Sequence, residues 1–551
     1  MSRDDSGPVA AKGLSGWRLA LVGLLLFAPA TIPYLVHALP RTDRTLPTGY
    51  IVYDMALYAG KGREHFDSGT FHPTYSNPCD WSYGEPRVYF QPLFLAIGAV
   101  REWTGLDIGL ILVGAWILSG LLCTGVAIAL YRRVVGLRTW SERLGLVVFF
   151  WGGGLLVAMG AFWFLGLKRT VPTARELFAF DPIDGWWFMS FGRNLIFPTE
   201  AFYHALFLGC VLAAIGRRFA LSVALAALAA ISSPFTGVEL LSVLWTWCFV
   251  EVVFLRRPGL GVTTGYFAAI TAVFGLMLGY YLGFLNLFES HRIVARQMSL
   301  DWGYNAVQFV PAYALVGALA AWRLRDGSRA LAACANPETT LFLAWAAVAF
   351  ALSNHEFAIT ARQPIHFTRG YVWIPLFFLG APVLVGLFDH LGGRLRRPWG
   401  GLAAGLVLLL FLNDDLAWLA RFPLRYDVPR ANQDLRISPE QREVLGRVSG
   451  PEFRGHTLLS EDPTISYLCI TSTPMRSWDA HPFETPDLAS RHAEIVRLFA
   501  EGTPDDRWAG LPLVVVRERR PGAATDSWLA ARHALPILSN DRFEVFQVPA
   551  P

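Results

Sequence analysis

Long apolar runs separated by polar connections occupy most of the chain. About eleven of these runs are long enough to form helices that approach or exceed the thickness of a bilayer core. They lie near residues 17–39, 107–131, 143–166, 197–216, 218–232, 236–255, 262–285, 304–323, 339–353, 371–389 and 399–418. The runs at 218–232 and 339–353 are short, which indicates helices that are tilted or partly enclosed by their neighbours. The pattern predicts a polytopic α-helical membrane protein.

The connections between the runs alternate in character. One set is short and rich in arginine, and comprises residues 132–143, 217–218, 256–257, 323–329 and 394–397. Because positive charge marks the cytoplasmic side of a membrane protein, we expect these connections and the N-terminus in the cytoplasm. The other set mixes acidic, basic and aromatic residues, and comprises residues 40–106, 167–196, 286–303 and 354–370. These are expected outside the cytoplasmic (inner) membrane, as is the C-terminus.

The composition changes near residue 424 to that of a soluble domain. "SPEQREVLGRV" (438–448) begins with a helix-capping serine and a proline, and "DLASRHAEIVRLFAEG" (487–502) predicts a helix that ends at glycine. "HTLLSED" (456–462), "LPLVVVRE" (511–518) and "FEVFQV" (543–548) predict strands. We therefore predict a transmembrane domain, residues 1–423, with a large first outer loop at 40–106, and an extracytoplasmic α/β domain, residues 424–551. A short apolar segment at 89–103 predicts an interfacial helix.

Composition supports the membrane assignment and excludes other classes. The chain is 54% apolar and 16% charged, whereas soluble domains carry about 25% charged residues. A net charge of +4 gives no indication of a nucleic-acid partner. The six cysteines include no zinc-binding pattern. Cys79 and Cys469 both fall in segments expected outside, so a disulfide between them is one hypothesis.

The first outer loop begins with the polar stretch "YDMALYAGKGREHFDSGTFHP", residues 53–73. We predict a helix from Asp54 to Ser68-Gly69 that carries Tyr58-Ala59 and Arg63-Glu64. For Asp54 two interpretations stand: it is the N-terminal cap of this helix, or it is also a catalytic base. A second segment, "RSWDAHPFETP" (476–486), predicts a structured loop; contact of Trp478 or His481 with a sugar is the alternative.

These motifs resemble the GT-C superfamily of integral-membrane glycosyltransferases, such as the aminoarabinose transferases and protein mannosyltransferases. In those families a first outer loop begins with a catalytic Asp, followed by Tyr-Ala, Arg-Glu and Ser-Gly pairs, and ends in a Pro-Leu segment. Asp54 and the pairs named above occupy these positions here, and "YFQPLF" (89–94) corresponds to the Pro-Leu segment. Met55 stands where many relatives have Glu. This departure weakens any role that needs paired carboxylates; no cofactor is assigned, and a divalent metal is left open.

The resemblance implies transfer of a sugar from a polyprenyl-phosphate donor to a glycan, lipid or protein acceptor at the outer membrane face, with inversion at the anomeric carbon. Asp54 is the expected base. Cationic and hydrogen-bonding side chains of the outer loops are expected to bind the substrate and its phosphate. These candidates are Arg369, His366, Arg362, Arg292, Arg193, Glu200, His204, Tyr58 and Glu64. For the arginines near span ends, contact with lipid headgroups is the alternative interpretation.

Two non-enzymatic interpretations also remain at this stage. One is a transporter or a lipid- or glycan-binding membrane protein, and the other is a transferase fold that has lost its activity. Transporters usually place ionisable residues at mid-membrane in broken helices, often in two related halves. Here most ionisable residues fall near the outer ends of the runs and no repeat is visible, which favours chemistry at the membrane surface.

Overall fold

The computed structural model describes residues 16–41, 44–67, 69–82, 84, 86–255, 263–326, 328, 334–394, 399–424 and 435–550. The chain divides into two compact units. The helical unit comprises Met1–Pro33, Trp116–Met277 and Asp301–Val428, and the sheet unit comprises Tyr34–Ala115, Leu278–Leu300 and Pro429–Pro551. Six of the basic residues that support the predicted orientation lie outside the described residues. They are Lys12, Arg256, Arg257, Arg329, Arg396 and Arg397.

Helices make up most of the described chain. The α-helices are α1 Gly16–Phe27, α2 Ile32–Ala38, α3 Asp54–Arg63, α4 Pro92–Thr104, α5 Ile108–Val134, α6 Trp140–Trp151, α7 Leu156–Ala161, α8 Ala174–Leu177, α9 Pro198–Ile215, α10 Phe219–Ser232, α11 Pro234–Phe249, α12 Thr264–Leu278, α13 Glu289–Gln297, α14 Ala306–Leu324, α15 Pro337–Ser353, α16 Trp373–Arg394, α17 Trp399–Ala420, α18 Pro439–Arg447, α19 Pro463–Ser472, α20 Leu488–Glu501 and α21 Asp526–Ala531. The strands are β1 Leu46–Pro47, β2 Arg436–Ile437, β3 Thr457–Ser460, β4 Arg476–Ser477, β5 Leu513–Glu518, β6 Leu535–Ser539 and β7 Phe543–Val548.

Each apolar run predicted from the sequence forms helix over most of its described residues, and the run 143–166 is broken at residues 152–155. Among the described residues, 8 helical segments are long and apolar enough to cross a membrane, and α6 with Leu156–Leu167 makes a ninth if this bent pair is one span. The chain is therefore a multi-pass membrane protein, as predicted. The other two of the eleven predicted runs form α10, with 14 residues, and α15, with 17 residues, which are apolar helices shorter than this criterion requires. The interfacial helix predicted at 89–103 is α4.

Helices α6 and α7 of the helical unit are bent by 68° relative to each other. A glycine and a buried carboxylate stabilise this bend. A Cβ on Gly154 would lie 2.2 Å from the carbonyl oxygen of Pro311, so only glycine fits this crossing. Asp414 in α17 accepts hydrogen bonds from the amides of Leu156 (3.2 Å) and Val157 (2.8 Å), which begin α7. The carboxylate therefore satisfies amides that the start of a helix leaves unpaired.

The sheet unit is organised around five strands in the order β4-β3-β5-β7-β6. β3 pairs in parallel with β4 and β5, whereas β7 is antiparallel to β5 and β6. Its core includes Trp478, Trp508, Leu498 and Val515, all buried. The predicted α/β region at the C-terminal end is thus confirmed, with α18, α20, β3, β5 and β7 where the sequence placed them. Strands β4 and β6 were not predicted.

The sheet unit also contains the first outer loop of the sequence. β1 pairs antiparallel with β2 (Leu46 with Ile437). α3 packs against both α4 and α19. The division at residues 423 and 424 stays a prediction, because the contact pattern groups Tyr34–Ala115 and Leu278–Leu300 with Pro429–Pro551. Cys79 and Cys469 are both free and buried, so the disulfide hypothesis is wrong for this structure.

Candidate active site

Helix α3 begins at Asp54 and ends at Arg63, earlier than the predicted end at Ser68-Gly69; Ser68 lies outside the described residues. The cap position is Tyr53, and its side chain makes no capping hydrogen bond. Asp54 is therefore the first helical residue rather than the cap. At this position its negative charge faces the positive end of the helix dipole, which is favourable by about 0.3–1 kcal/mol.

Glycine allows α3 to pack closely within the sheet unit. A Cβ on Gly60 would lie 2.8 Å from the carbonyl oxygen of Ile470 in α19. A Cβ on Gly62 would lie 2.8 Å from the carbonyl oxygen of Phe94, and one on Gly98 would lie 1.9 Å from the carbonyl oxygen of Gly62. Both α4 and α19 thus approach the α3 backbone directly, which fixes the position of the helix that carries Asp54.

Asp54 is paired with a histidine from the C-terminal segment. The Nε2 atom of His481 lies 3.1 Å from Oδ1 of Asp54. The His481 side chain is 4% exposed, whereas that of Asp54 is 37% exposed. The histidine is thus held inside the unit, while the carboxylate is partly exposed.

The surroundings of His481 determine which ring nitrogen donates. The backbone amide of Phe483 donates to Nδ1 of His481 at 3.3 Å, so Nδ1 is an acceptor and carries no proton. In that tautomer the proton is on Nε2, which donates to Asp54. Two aromatic rings pack beside the imidazole, Tyr53 at 5.4 Å and Tyr467 at 5.6 Å between centroids. The ring therefore has little freedom to turn away from the carboxylate.

Tyr467 connects the His481 ring to the start of α3. Its hydroxyl donates to the carbonyl oxygen of Tyr53 at 2.5 Å and accepts from the amide of Leu57 at 3.1 Å. The rings of Tyr53 and Tyr467 are stacked with their centroids 4.2 Å apart. The first turn of α3 is thus held by the same side chain that packs on His481.

The loop that follows His481 is fixed to the first outer loop by polar contacts. Lys61 Nζ lies 2.8 Å from Oε1 of Glu484, and the side-chain amide of Asn77 donates to the carbonyl oxygen of Glu484 at 2.7 Å. Burial acts to raise the pKa of Glu484, but the charge and hydrogen bond of Lys61 outweigh it and lower the pKa. The side-chain amide of Gln297 donates to the carbonyl oxygen of Thr485 at 3.1 Å.

Glu64 is buried in an ion pair rather than open to a substrate. Its Oε2 lies 3.0 Å from Nη2 of Arg476 and accepts from the Ser76 hydroxyl at 2.8 Å. Burial acts to raise the pKa of Glu64, but the positive charges of Arg476 and Arg63 and the Ser76 hydrogen bond lower it. This geometry favours a structural role for Glu64, which connects the end of α3 to β4.

Tyr58 and Arg292, the other predicted binding residues of the sheet unit, lie on different helices. Tyr58 stacks on Phe94 of α4 with centroids 5.3 Å apart. Arg292, in α13, donates from Nη1 to the carbonyl oxygens of Asn286 (2.9 Å) and Leu287 (3.4 Å), which the preceding helical turn leaves unpaired. Tyr58 therefore shares a helix with Asp54, whereas Arg292 caps its own segment.

Arg369, Glu200 and His204 come together in the helical unit. Arg369 forms an ion pair with Glu200, and its guanidinium lies over the ring of Trp187 at 4.3 Å from the centroid. The two ring nitrogens of His204 face the carbonyl oxygens of Glu200 and Arg369, each at 2.8 Å. Arg369 thus forms one cluster with Glu200 and His204 of α9.

The remaining predicted cations occupy three different environments of the helical unit. His366 stacks on Phe235 with centroids 4.2 Å apart. Arg362 has an exposed side chain. Arg193 is 3% exposed and lies 2.7 Å from Asp181 and 2.6 Å from Asp415. Two carboxylates therefore balance its charge, which favours a structural role for Arg193.

The sequence predicts His481 only as an alternative contact for a sugar, and nothing in it connects His481 to Asp54. Arg476 and Glu484, from the same segment, are not among the residues that the sequence predicts for the site. The signal is present in "RSWDAHPFETP", which places four ionisable side chains beside two aromatic ones. Within the described ranges there is no cluster of three or more His, Cys, Asp or Glu side chains that could hold a metal ion.

Comparison with known proteins gives similarity in structure alone: no protein-family model and no curated protein matches the chain. Arabinofuranosyltransferase AftD from Mycobacteria is 13% identical, covers 98% of this chain and 42% of its own, and has a TM-score of 0.52. The oligosaccharyltransferase of Archaeoglobus fulgidus, solved with a tethered acceptor peptide, is 11% identical, with 92% and 69% covered and a TM-score of 0.50. The chain has the GT-C fold.

A third similar structure is ArnT from Cupriavidus metallidurans in the apo state. It is 14% identical, with 97% of this chain and 99% of that chain covered, and has a TM-score of 0.46. AftD and the oligosaccharyltransferase are membrane glycosyltransferases of the GT-C superfamily. The predicted resemblance to this superfamily is thus confirmed at the level of the fold.

Proposed function

We propose that the chain is a glycosyltransferase that moves a sugar from a polyprenyl-phosphate donor to a hydroxyl or amine acceptor at the outer face of the membrane. The observation that carries the proposal is the Asp54–His481 pair, 3.1 Å between Oδ1 and Nε2, on a chain with the GT-C fold. A partly exposed carboxylate held by a buried donor is suited to accept a proton from a substrate.

The reaction is a single displacement. The acceptor oxygen or nitrogen attacks the anomeric carbon and loses its proton to the Asp54 carboxylate. The bond between the anomeric carbon and the phosphate oxygen breaks, and the phosphate leaves with the bonding electron pair as polyprenyl phosphate. Attack from the side opposite the phosphate inverts the anomeric carbon. No oxidant or reductant is needed.

His481 acts through Asp54. Its Nε2–H group donates to Oδ1 and holds the carboxylate in one orientation, while the Phe483 amide holds the imidazole in the tautomer that can donate. A base must lie within hydrogen-bond reach of the proton it takes, so fixing its orientation lowers the barrier to transfer. His481 is therefore a positioning residue, and Asp54 is the residue that contacts the substrate.

Cationic side chains are needed where negative charge develops on the leaving phosphate. Arg292, which lies in the same unit as Asp54, is the candidate for this role in the sheet unit. For Arg369, His366 and Arg362 of the helical unit, substrate binding stays a prediction from the sequence. The acceptor is a glycan, a lipid or a protein.

The proposed location follows from the chemistry of the donor and from the arginine pattern. The lipid tail of the donor cannot leave the bilayer, so the reactive groups must lie at a membrane surface. We place the chain in the cytoplasmic (inner) membrane, with the N-terminus in the cytoplasm and the C-terminal α/β region outside.

Complementation tests this proposal. Cells that lack the gene are supplied with the wild-type protein, the Asp54→Asn variant, or an empty vector, and their cell-envelope glycans are compared by mass spectrometry. Asn has the same size as Asp but cannot accept the proton. Wild type should restore a glycan mass increment equal to one sugar residue, and the variant should not. Full restoration by the variant at equal expression would refute the proposed chemistry.

A further inference from the structure

A cavity of about 260 Å³ lies in the sheet unit. Its lining comes from the loop around Pro47–Tyr50, from Asp107 and Ile108 at the start of α5, and from one side each of α18 and α19. Ile108 is the first residue of a membrane-spanning segment. The cavity therefore lies beside the end of a helix that is long and apolar enough to cross a membrane. Its volume is near the lower limit of small-molecule sites.

The wall formed by residues 47–50 is rigid. The amides of Thr48 and Gly49 donate to Nε2 of His37 at 3.1 Å and 3.0 Å. Gly49 has φ of +86°, and a Cβ there would lie 2.8 Å from the carbonyl oxygen of Gly109. The Thr48 hydroxyl donates to the carbonyl oxygen of Leu435, next to β2. These contacts hold this wall of the cavity in place.

Two exposed residues of opposite charge, Asp107 and Arg442, line the cavity, and each has hydrogen-bonding groups without a partner in the described part of the chain. Asp107 accepts at Oδ1 from the amides of Gly109 (3.0 Å) and Leu110 (3.2 Å), and its Oδ2 has no partner among the described residues. The guanidinium of Arg442 likewise makes no hydrogen bond within the described part of the chain. The hydroxyls of Thr48, Ser449 and Ser472 are further polar groups of the lining.

This lining discriminates between ligand classes. Arg442 can only donate and Asp107 can only accept, so a ligand that satisfies both must carry donors and acceptors. The carboxylate disfavours a bare phosphate, and the guanidinium disfavours a bare amine. Sugar hydroxyls donate and accept at once and carry no charge. We infer that this cavity binds one neutral sugar unit of a glycan.

The site is separate from the chemistry proposed at Asp54. α19 presents Tyr467 to the start of α3, whereas Leu468 and Ser472 of the same helix line the cavity. Binding a sugar in the cavity requires no reaction, so it holds whether or not Asp54 is a base. If the transfer proposed above takes place, the cavity is suited to a sugar of the acceptor that does not react.

Saturation-transfer NMR on the full chain in nanodiscs, free of glycoside detergent, tests the inference. The probes are the methyl glycosides of mannose, glucose, galactose and arabinofuranose. Gly446→Trp should block the site, because Gly446 lines the cavity and a Cβ there meets only open space. Gly510→Trp is the matched control, since Gly510 also faces open space but does not line the cavity.

At least one glycoside should bind wild type, Gly510→Trp and Asp54→Asn alike, and binding should weaken at least about tenfold in Gly446→Trp and in Arg442→Ala. Thermal melting of each variant checks that it is folded. The inference is overturned if wild type binds none of the four glycosides, or if the signal in folded Gly446→Trp equals that of wild type. Normal binding by an inactive Asp54→Asn variant separates this site from the transfer reaction.

Discussion

His481 and Asp54 are 427 positions apart in the sequence, yet the imidazole Nε2 lies 3.1 Å from the Asp54 carboxylate. The two residues belong to one compact unit, which also holds the first outer loop and the five-stranded sheet. The C-terminal region therefore contributes a side chain to the candidate active site.

Substitution of His481 should lower the rate of transfer according to the hydrogen bond that the new side chain can make. His481→Ala removes the donor, and we expect kcat to fall about 10- to 100-fold. His481→Gln places an amide donor near the position of Nε2 and should retain more activity than the alanine variant. Equal losses in both variants at equal stability would show that the hydrogen bond to Asp54 does not matter.

Removal of the Glu64 charge should destabilise the sheet unit at neutral pH. Glu64→Gln leaves Arg476 buried without its carboxylate, which costs about 2–4 kcal/mol. Because the pKa of Glu64 is lowered from 4.5, the contribution of its charge is complete above that pH and is lost as the pH falls below it. Thermal melting of wild type and variant should differ at pH 7 and converge in acid. A difference that grows in acid would contradict this assignment.

The crossing of α3 and α4 should not tolerate a methyl group. In Gly98→Ala the new Cβ would lie 1.9 Å from the Gly62 carbonyl oxygen, and we expect a loss of about 1–3 kcal/mol in the free energy of unfolding. Gly446→Ala is the control: its Cβ meets open space on a helix, so it should be neutral or stabilising by up to about 1 kcal/mol. Melting temperatures in one detergent measure both, and an unchanged Gly98→Ala would refute the close crossing.

Glu239 should be replaceable by an apolar residue without loss of stability. This residue of α11 is fully buried, and neither carboxylate oxygen has a hydrogen-bond partner among the described residues. Since a buried carboxylate without partners is unfavourable, Glu239→Leu should raise the free energy of unfolding by about 1–2 kcal/mol. Glu239→Gln controls for shape. A marked drop in the melting temperature of the leucine variant would indicate that the carboxylate has a partner or ligand.

Elements with a local sequence pattern could be predicted, whereas strands β4 and β6, which depend on pairing with other strands, could not. The spans and the helix of Asp54 follow from apolar length, glycine and proline, which act within a few turns, and the Ser438 capping box is one such local signal. β4 has two residues and β6 contains Pro536, so neither has a strand pattern. β4 forms because β3 pairs with it in parallel, and β6 forms because it pairs antiparallel with β7, the next strand along the chain.

The candidate site likewise has one part that could be predicted from the sequence and one part that could not. The Asp54 helix could be predicted because its motif is continuous in the sequence. The partner of Asp54 could not, because the contact with His481 depends on how α19 and the loop of residues 481–485 pack against α3. Likewise, Glu64 resembles a binding residue in the motif, but its ion pair with Arg476 is formed only in the folded unit.

Release of polyprenyl phosphate tests the central claim most directly, because every transfer from such a donor produces it whatever the acceptor. Purified wild type, Asp54→Asn and His481→Gln are incubated in nanodiscs with a lipid and glycan extract of the source cells, and free polyprenyl phosphate is quantified by mass spectrometry. We predict release by wild type, intermediate release by His481→Gln, and a rate at least about 100-fold lower for Asp54→Asn. Release by folded Asp54→Asn at the wild-type rate would contradict the account.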